Sequence, residues 1–312
     1  MQAREGAMEV LVIGNNTVDI VFSTREALVT DGKVQADGLR FFGGGQGANV
    51  AAMLGSLGVR TRYFGVFGGG DFGRLARGSL VESGVVVEGS LTVADCPQHS
   101  AAIVVDTTHG TRSLVMHKDA RLRMDGIPAE AAPLEQCGLV YLDGHEPAFS
   151  LALAKRARAL GLPVLADAEV AEEARPLLPY LTSLVAPGKV LRELTGEREL
   201  SAAARTLLAG GLRVVVGTLG AEGCEGWTAQ GEHHRVPAER CEVVDTTGAG
   251  DAFHAGYIAA VQAGHGFGEA LRFATQVAAV KCGVPGPRAG ADRLALLGVG
   301  LGTSGGESVS LL

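Results

Sequence analysis

The chain begins its apolar pattern with "MEVLVIG" (8–14), a short run ending in glycine, as a buried strand does. "VDIVFS" and "KVQADGLRFF" follow with more alternation, which predicts half-exposed strands. "GANVAAMLGSLG" (47–58) places Val50, Leu54 and Leu57 on one face of a helix that stops at Gly58. "TRYFGVFG" predicts a strand, and "DFGRLARGSLVESG" a helix with an acidic cap and Gly84 at its end. "HSAAIVVD" and "TRSLVMHK", joined by "TTHG", predict a β-hairpin over 99–118.

Beyond residue 118 the rhythm becomes regular. "GLVYLDG", "LPVLADA", "LTSLVAP" and "LRVVVGTLG" read as strands, with "PAFSLALAKRARALG" and "ELSAAARTLLAGG" as helices between them. Apolar strands alternating with longer helices imply a parallel sheet covered on both faces. Two more helices are predicted at 251–263 and over "GEALRFATQVAAVKCG", before a loose Gly/Ser-rich tail, "LGTSGGESVSLL". The expected fold is a single α/β domain over 1–312, with a mostly parallel central sheet and helices on both faces. The β segments near 17–42 and 99–118 are too short to stand alone. They are expected to pair into a small sheet that lies over the strands' carboxyl ends as a lid.

Composition narrows the function. With 46% hydrophobic residues, 20% charged residues and 46 glycines, the chain is globular and turn-rich. A net charge of −7 argues against nucleic-acid binding, which needs a basic face. The five cysteines, Cys96, Cys137, Cys224, Cys241 and Cys282, are scattered without a C-x-x-C pair. That fits a reducing cytoplasm better than a disulfide framework or a zinc site. The first apolar run is too short for a signal peptide, and no run approaches the ~20 apolar residues of a membrane span. The expectation is a soluble cytoplasmic protein without a membrane partner.

Four stretches carry chemistry. In "FFGGGQGANVAAMLGSLG", Gly43, Gly44, Gly45 and Gly47 allow close backbone approach to a ligand, and Asn49 both donates and accepts, as sugar hydroxyls require. A plain glycine turn with Asn49 as a helix cap explains the same residues. Asp19 interrupts the apolar run Val18-Ile20-Val21-Phe22; it is either an exposed position on an edge strand or a carboxylate for a diol. "VVVGTLGAEGCEGW" ends a strand with Thr218, Gly220 and Gly223, which suit a nucleotide or a hairpin turn.

The fourth stretch, "DTTGAGDAFHAGYIAAVQAG", is the most specific. Phe253, Tyr257 and Val261 form a stripe that starts the helix at Gly250 or Asp251. The amides of Gly248, Ala249 and Gly250 then converge before it as an anion hole for a transferring phosphoryl group. Asp251 either merely satisfies the helix terminus or reaches the acceptor hydroxyl beside it. Its ordinary pKa of ~3.9 is expected to fall further at the helix end. A weak base suffices for a loose phosphoryl-transfer transition state.

"GGGQGANVAAMLGSLG" and "DTTGAGDAFHAGY" resemble the two signatures of the ribokinase-like (PfkB-type) carbohydrate kinases, in the family's order, and the strand–helix rhythm is similar over about 8–295. The resemblance implies an ATP-dependent kinase acting with Mg2+ on a sugar hydroxyl. It makes Asp251 the catalytic base, with Gly248, Ala249 and Gly250 as the anion hole. It makes Asp19, Gly44, Gly45, Gln46 and Asn49 sugar contacts and Thr218, Gly220 and Gly223 nucleotide contacts. Asp245 and Thr247 match positions that hold a monovalent cation such as K+ in several members.

Two departures matter. Gln46 stands where ribokinases proper often carry Lys, and the family's N-x-x-E motif is absent near "VAPGKVLRELTG", leaving Glu193 and Lys189 as the nearest polar candidates for Mg2+. The missing N-x-x-E motif and the final helix "LRFATQVAAVKCG" resemble the ketohexokinase-like branch, which favours a hexose or ketose over a pentose. A nucleoside kinase and a silent sugar- or nucleotide-binding protein are the alternatives, and a homodimer through the β lid is a further expectation. Arg112 and His117 are expected near the site.

Overall fold

The computed structural model describes residues 9–109 and 111–294; the Gly/Ser-rich tail and the first residue of the opening apolar run lie outside them. In chain order the first half holds β1 (Glu9–Ile13), β2 (Thr17–Thr24), β3 (Gly38–Gly44), α1 (Gln46–Ser56), β4 (Thr61–Phe64), β5 (Val66–Gly69) and α2 (Gly70–Glu82). Then come β6 (Leu91–Pro97), β7 (Ser100–Asp106) and β8 (Thr111–His117). The second half holds β9 (Cys137–Leu142), α3 (Pro147–Ala159), β10 (Val164–Asp167), α4 (Ala171–Ala174), β11 (Ser183–Pro187), α5 (Gly188–Thr195) and α6 (Leu200–Ala209). It closes with β12 (Val214–Thr218), β13 (Cys224–Thr228), β14 (His233–Val236), α7 (Ala249–Gln262), α8 (Phe267–Cys282) and α9 (Ala291–Leu294).

Among the described residues the main sheet has eight strands in the order β14-β13-β12-β11-β10-β9-β1-β4. The six from β12 to β4 run parallel, while β13 and β14 add antiparallel pairs at one edge. Strand period 2 sends successive side chains into two separate cores. Val10 and Val12 pack with Met53, Leu54, Tyr257 and Leu271 on one face. Leu11 and Ile13 pack with Phe149, Leu153, Leu191 and Leu207 on the other. Helices therefore cover both faces, as the unbroken apolar strands require.

The predicted segments 17–42 and 99–118 do form a second sheet, in the order β3-β2-β7-β8. Asp19 pairs with Phe42 on one side and Ala101 on the other. Local departures have clear causes. "TRYFGVFG" is two strands broken at Gly65, because β4 joins the main sheet while β5 pairs only with β6. The strand expected over "KVQADGLRFF" begins only at Gly38. Helix α2 is capped by the backbone of Gly69 without a side-chain bond, so Asp71 sits inside the first turn rather than at the cap. Helix α7 begins at Ala249, one or two residues earlier than the apolar stripe indicated.

In the main sheet β1 lies between β9 and β4, so strand order reverses beside β1. An open α/β sheet binds ligands at the carboxyl ends of its strands near such a reversal.

Candidate active site

The carboxyl ends of β1, β10, β11 and β12 bring Asn15, Asp167, Pro187 and Thr218 to one cavity of about 530 Å³. The second sheet supplies Thr17, Asp19, Ser100, Ala101, Ile103, Arg112, Leu114, Met116 and His117, and the turn before α7 supplies Thr246 through Asp251. Strand alternation explains the second sheet's share: Thr17 and Asp19, like Arg112, Leu114 and Met116, are two residues apart on one face. Residues 232 positions apart in sequence thus meet in one site, and Arg112 reaches across it to donate to the Thr247 hydroxyl at 2.7 Å.

Asp251 is buried on the first turn of α7. The Asn49 amide donates to its Oδ2 at 2.7 Å, and Arg288 Nε donates to Asn49 Oδ1 at 2.9 Å. Arg288 can only donate, so it fixes the Asn49 amide with its oxygen toward the guanidinium and its NH2 toward the carboxylate. Arg288 also donates to Ser79 Oγ at 3.0 Å and to the Gly44 carbonyl at 3.3 Å. Burial draws the guanidinium down to about 10, against the pull of Asp19 and Asp251.

The helix end was expected to depress Asp251, and the structure reverses that. Burial pushes its carboxyl up to about 7; the Asn49 hydrogen bond opposes the rise, and the nearby Asp167 charge adds to it. Loss of water outweighs the dipole here because the carboxylate lies within the packed first turn rather than at its solvated tip. Asp19 is likewise raised by burial, with the Thr17 hydroxyl bond, 3.0 Å long, working the other way.

In the turn, Gly248 has φ 75, and a Cβ there would lie 2.1 Å from the Pro287 carbonyl oxygen, so only glycine fits. A Cβ on Gly250 would meet nothing within 4 Å, which leaves open space before the helix. The Ala249 amide, expected to face an anion, donates to the Thr246 carbonyl at 3.2 Å. The amides at positions 250 and 251 belong to the first turn, where an α-helix has no acceptors of its own.

The other predicted residues divide. Gly45 (φ 90), Gln46 and Asn49 line the cavity, and Gln46 Oε1 is buried without a partner. Gly44 sits behind them, its Cα against the Asp19 carboxylate. Gly47 serves packing: its amide donates to Asp143 Oδ2 at 2.9 Å, and a Cβ would lie 2.7 Å from the Gly14 Cα. Thr218 lines the cavity, whereas Gly220 and Gly223 form the β12–β13 turn, where a Cβ on Gly223 would strike the Val236 carbonyl. Glu193 and Lys189 are exposed on α5 and do not line the cavity; the buried face of that helix belongs to Val190, Leu191 and Leu194.

Each carboxylate oxygen of Asp245 already accepts a backbone amide. Its Oδ1 accepts from the Thr247 amide at 2.8 Å and its Oδ2 from the Gly286 amide at 2.9 Å.

The sequence pattern of the pfkB family of carbohydrate kinases matches residues 7–293. The chain belongs to the pfkB family. Its ATP-dependent members phosphorylate sugars and nucleosides. Aminoimidazole riboside kinase of Salmonella typhimurium is 30% identical over 270 residues, covering 80% of each chain. The 1-phosphofructokinase of Haloferax volcanii is 30% identical over 291 residues, covering 90% of this chain and 93% of that one. A crystal structure of a putative ribokinase from Agrobacterium tumefaciens superposes with TM-score 0.81 and 26% identity, covering 94% of this chain and all of the other. These relatives do not single out the ketohexokinase-like branch.

Within this pfkB chain three site residues carried no signal that set them apart in sequence. Arg288 lies in "GVPGPRAG", a Pro/Gly loop without periodicity. Asp143 follows β9 and accepts from the amides of Asn15 (2.7 Å), Gly47 and His145 (3.0 Å), joining β1, α1 and β9 beneath the cavity. His254 falls inside the helix predicted at 251–263. Its Nδ1 faces the Gly250 carbonyl at 2.8 Å and its Nε2 the Val185 carbonyl at 3.1 Å, with Asp167 Oδ1 3.7 Å away. It ties α7 to the end of β11.

No group of three or more metal-binding side chains occurs among the described residues. Mg2+ on a nucleotide asks for less, being held by phosphates, waters and one or two carboxylates. Asp167 and Glu169 both line the cavity and meet that demand. No helix among the described residues is long and apolar enough to cross a membrane.

Proposed function

We propose that Asp251 is the general base that takes the proton from an acceptor hydroxyl as the γ-phosphoryl group of ATP passes to it. The observation that carries this reading is the Arg288–Asn49–Asp251 chain, which fixes a buried carboxylate beside an open glycine turn. A base raised toward neutrality by burial is better matched to receiving a proton than an ordinary carboxylate. The amides of the Gly248-Ala249-Gly250 turn and the first turn of α7, with Arg112 alongside, receive the transferring group; Ala249 contributes least, its amide being engaged. Bound Mg2+ would neutralise phosphate charge, with Asp167 and Glu169 as its protein carboxylates.

The acceptor lies against Asp19, Gln46 and Asn15, where the unpartnered Gln46 oxygen calls for a hydroxyl donor. Gly44 and Gly45 let the chain come close beneath it, and Thr218 flanks the nucleotide with Gly220 and Gly223 shaping the turn behind. A hexose or ketose satisfies this polar floor, as a pentose does in part. One observation favours a nucleoside instead: Ala101, Ile103, Leu114 and Met116 make an apolar wall on the second sheet's inner face, suited to a base. Residues 1–312 act as one kinase domain, the second sheet serves as its lid, and the exposed Val115 and Leu39 of that sheet suit a homodimer in the cytoplasm.

An ADP-release assay against hexoses, ketoses, pentoses, their phosphates and nucleosides tests this. Turnover of a sugar, lost in Asp251→Ala, is the expected result; a panel in which no hydroxyl acceptor raises ADP release above that of the Asp251→Ala chain would overturn it.

A further inference from the structure

The turn before α7 and the loop after α8 meet around a buried ammonium group. Lys281, in the last turn of α8, is fully buried. Its Nζ donates to the main-chain carbonyl of Asp245 and, at 3.3 Å, to that of Val284. The same two segments are joined again by the Asp245 amide donating to the Cys282 carbonyl at 3.1 Å and by the Gly286 amide on Asp245 Oδ2. Lysine is almost never fully buried without compensation, because desolvating a charge is expensive. Here the compensation consists of carbonyl oxygens with a carboxylate close by, the environment a hard cation selects.

The oxygens expected to hold a free monovalent ion are already engaged. The Asp245 carbonyl is occupied by the ammonium, both Asp245 carboxylate oxygens hold amides, and the Thr247 hydroxyl accepts from Arg112. We infer that the Lys281 ammonium is a tethered cation, fixing the Thr246–Asp251 turn where a free K+ was expected, so that the protein needs no monovalent ion. Lys281 is thus a positioning residue. The loop it holds continues into Pro287, whose carbonyl abuts Gly248, and Arg288, which orients Asn49 on Asp251. One ammonium therefore braces both the turn and the hydrogen-bond chain behind the carboxylate. Burial pulls the Lys281 pKa down, and the Asp245 and Asp251 charges pull it back.

The consequence for turnover rests on the proposed kinase reading; the consequence for stability does not. The test compares wild type, Lys281→Ala and Lys281→Met in potassium chloride and in tetramethylammonium chloride at equal ionic strength. Both kcat, by ADP release, and the thermal midpoint of the nucleotide-free chain are read. Wild type is expected to be indifferent to the salt in both. Lys281→Ala should lose roughly 10²-fold in kcat in tetramethylammonium, the scale of a misplaced reacting group. It should recover with K+ or methylammonium, and its midpoint should rise with either. Lys281→Met fills the space without charge and should lose activity with no rescue.

Wild-type kcat or midpoint that depends on K+ overturns the inference, as does a Lys281→Ala chain whose midpoint K+ and methylammonium leave unchanged. A Lys281→Ala chain that fails to fold in every salt also overturns it, since a small cation should refill the hole. If no acceptor is found at all, the midpoints still decide the question.

Discussion

Replacing Asp251 by Asn separates the base from every other role the residue has. Asn is nearly isosteric, and its Oδ1 can still accept from the Asn49 amide, so the Arg288–Asn49 link and the start of α7 stay as they are. What disappears is the proton acceptor, and kcat should fall about 10²–10⁴-fold, with smaller changes in KM. Stability should move the opposite way. The folded chain raises this carboxyl from 3.8 to about 7, chiefly through burial. A pKa raised in the folded state means that stability is lost as pH rises from the unfolded value through the folded one. Above pH 7 the ionised Asp251 therefore costs on the order of 4 kcal/mol, taking about 1.36 kcal/mol per pK unit. Asn carries no such cost. The variant should be less active yet more stable than wild type at pH 8, and the stability gap should close toward pH 4. Steady-state kinetics and urea unfolding at both pH values measure this. Near-normal turnover, or an Asn variant less stable than wild type at pH 8, would refute the reasoning.

The same shift predicts the pH profile. The ionised form of Asp251 is the active one, so kcat/KM should be full at alkaline pH and fall as pH drops through about 7; an acid limb in the ordinary carboxylate range near 4 would show that another group limits the rate. Gly248→Ala should lower the thermal midpoint and raise the KM for ATP. The residue would be held at φ 75, worth roughly 1–2 kcal/mol for an L-residue, with its Cβ 2.1 Å from the Pro287 oxygen; an unchanged midpoint would mean that the turn is not fixed as described.

The layered architecture was legible in the order of residues alone, because strand and helix periods are local properties. The runs "GLVYLDG" and "LRVVVGTLG" became β9 and β12 of a parallel sheet, and the 17–42 and 99–118 segments became one small sheet. The sequence also marked Asp251 and the glycine turn, since a carboxylate behind G-A-G at a helix start is itself a short pattern. It missed what depends on long-range proximity. Arg288 meets Asn49 across 239 residues, and nothing in its Pro/Gly loop marks the encounter. Asp143 gathers three amides only because strand order places β9 beside β1.

Electrostatics was legible least of all. At a helix N-terminus the local dipole predicts a depressed Asp251, whereas burial, set by α1 and α7 packing together, raises it. Asp245 reads as an ion ligand in sequence, and nothing local announces that α8 brings the Lys281 ammonium to its carbonyl. Period and turn chemistry are written within a dozen residues, but desolvation and charge pairing depend on which distant segments come to share a space once the chain has folded.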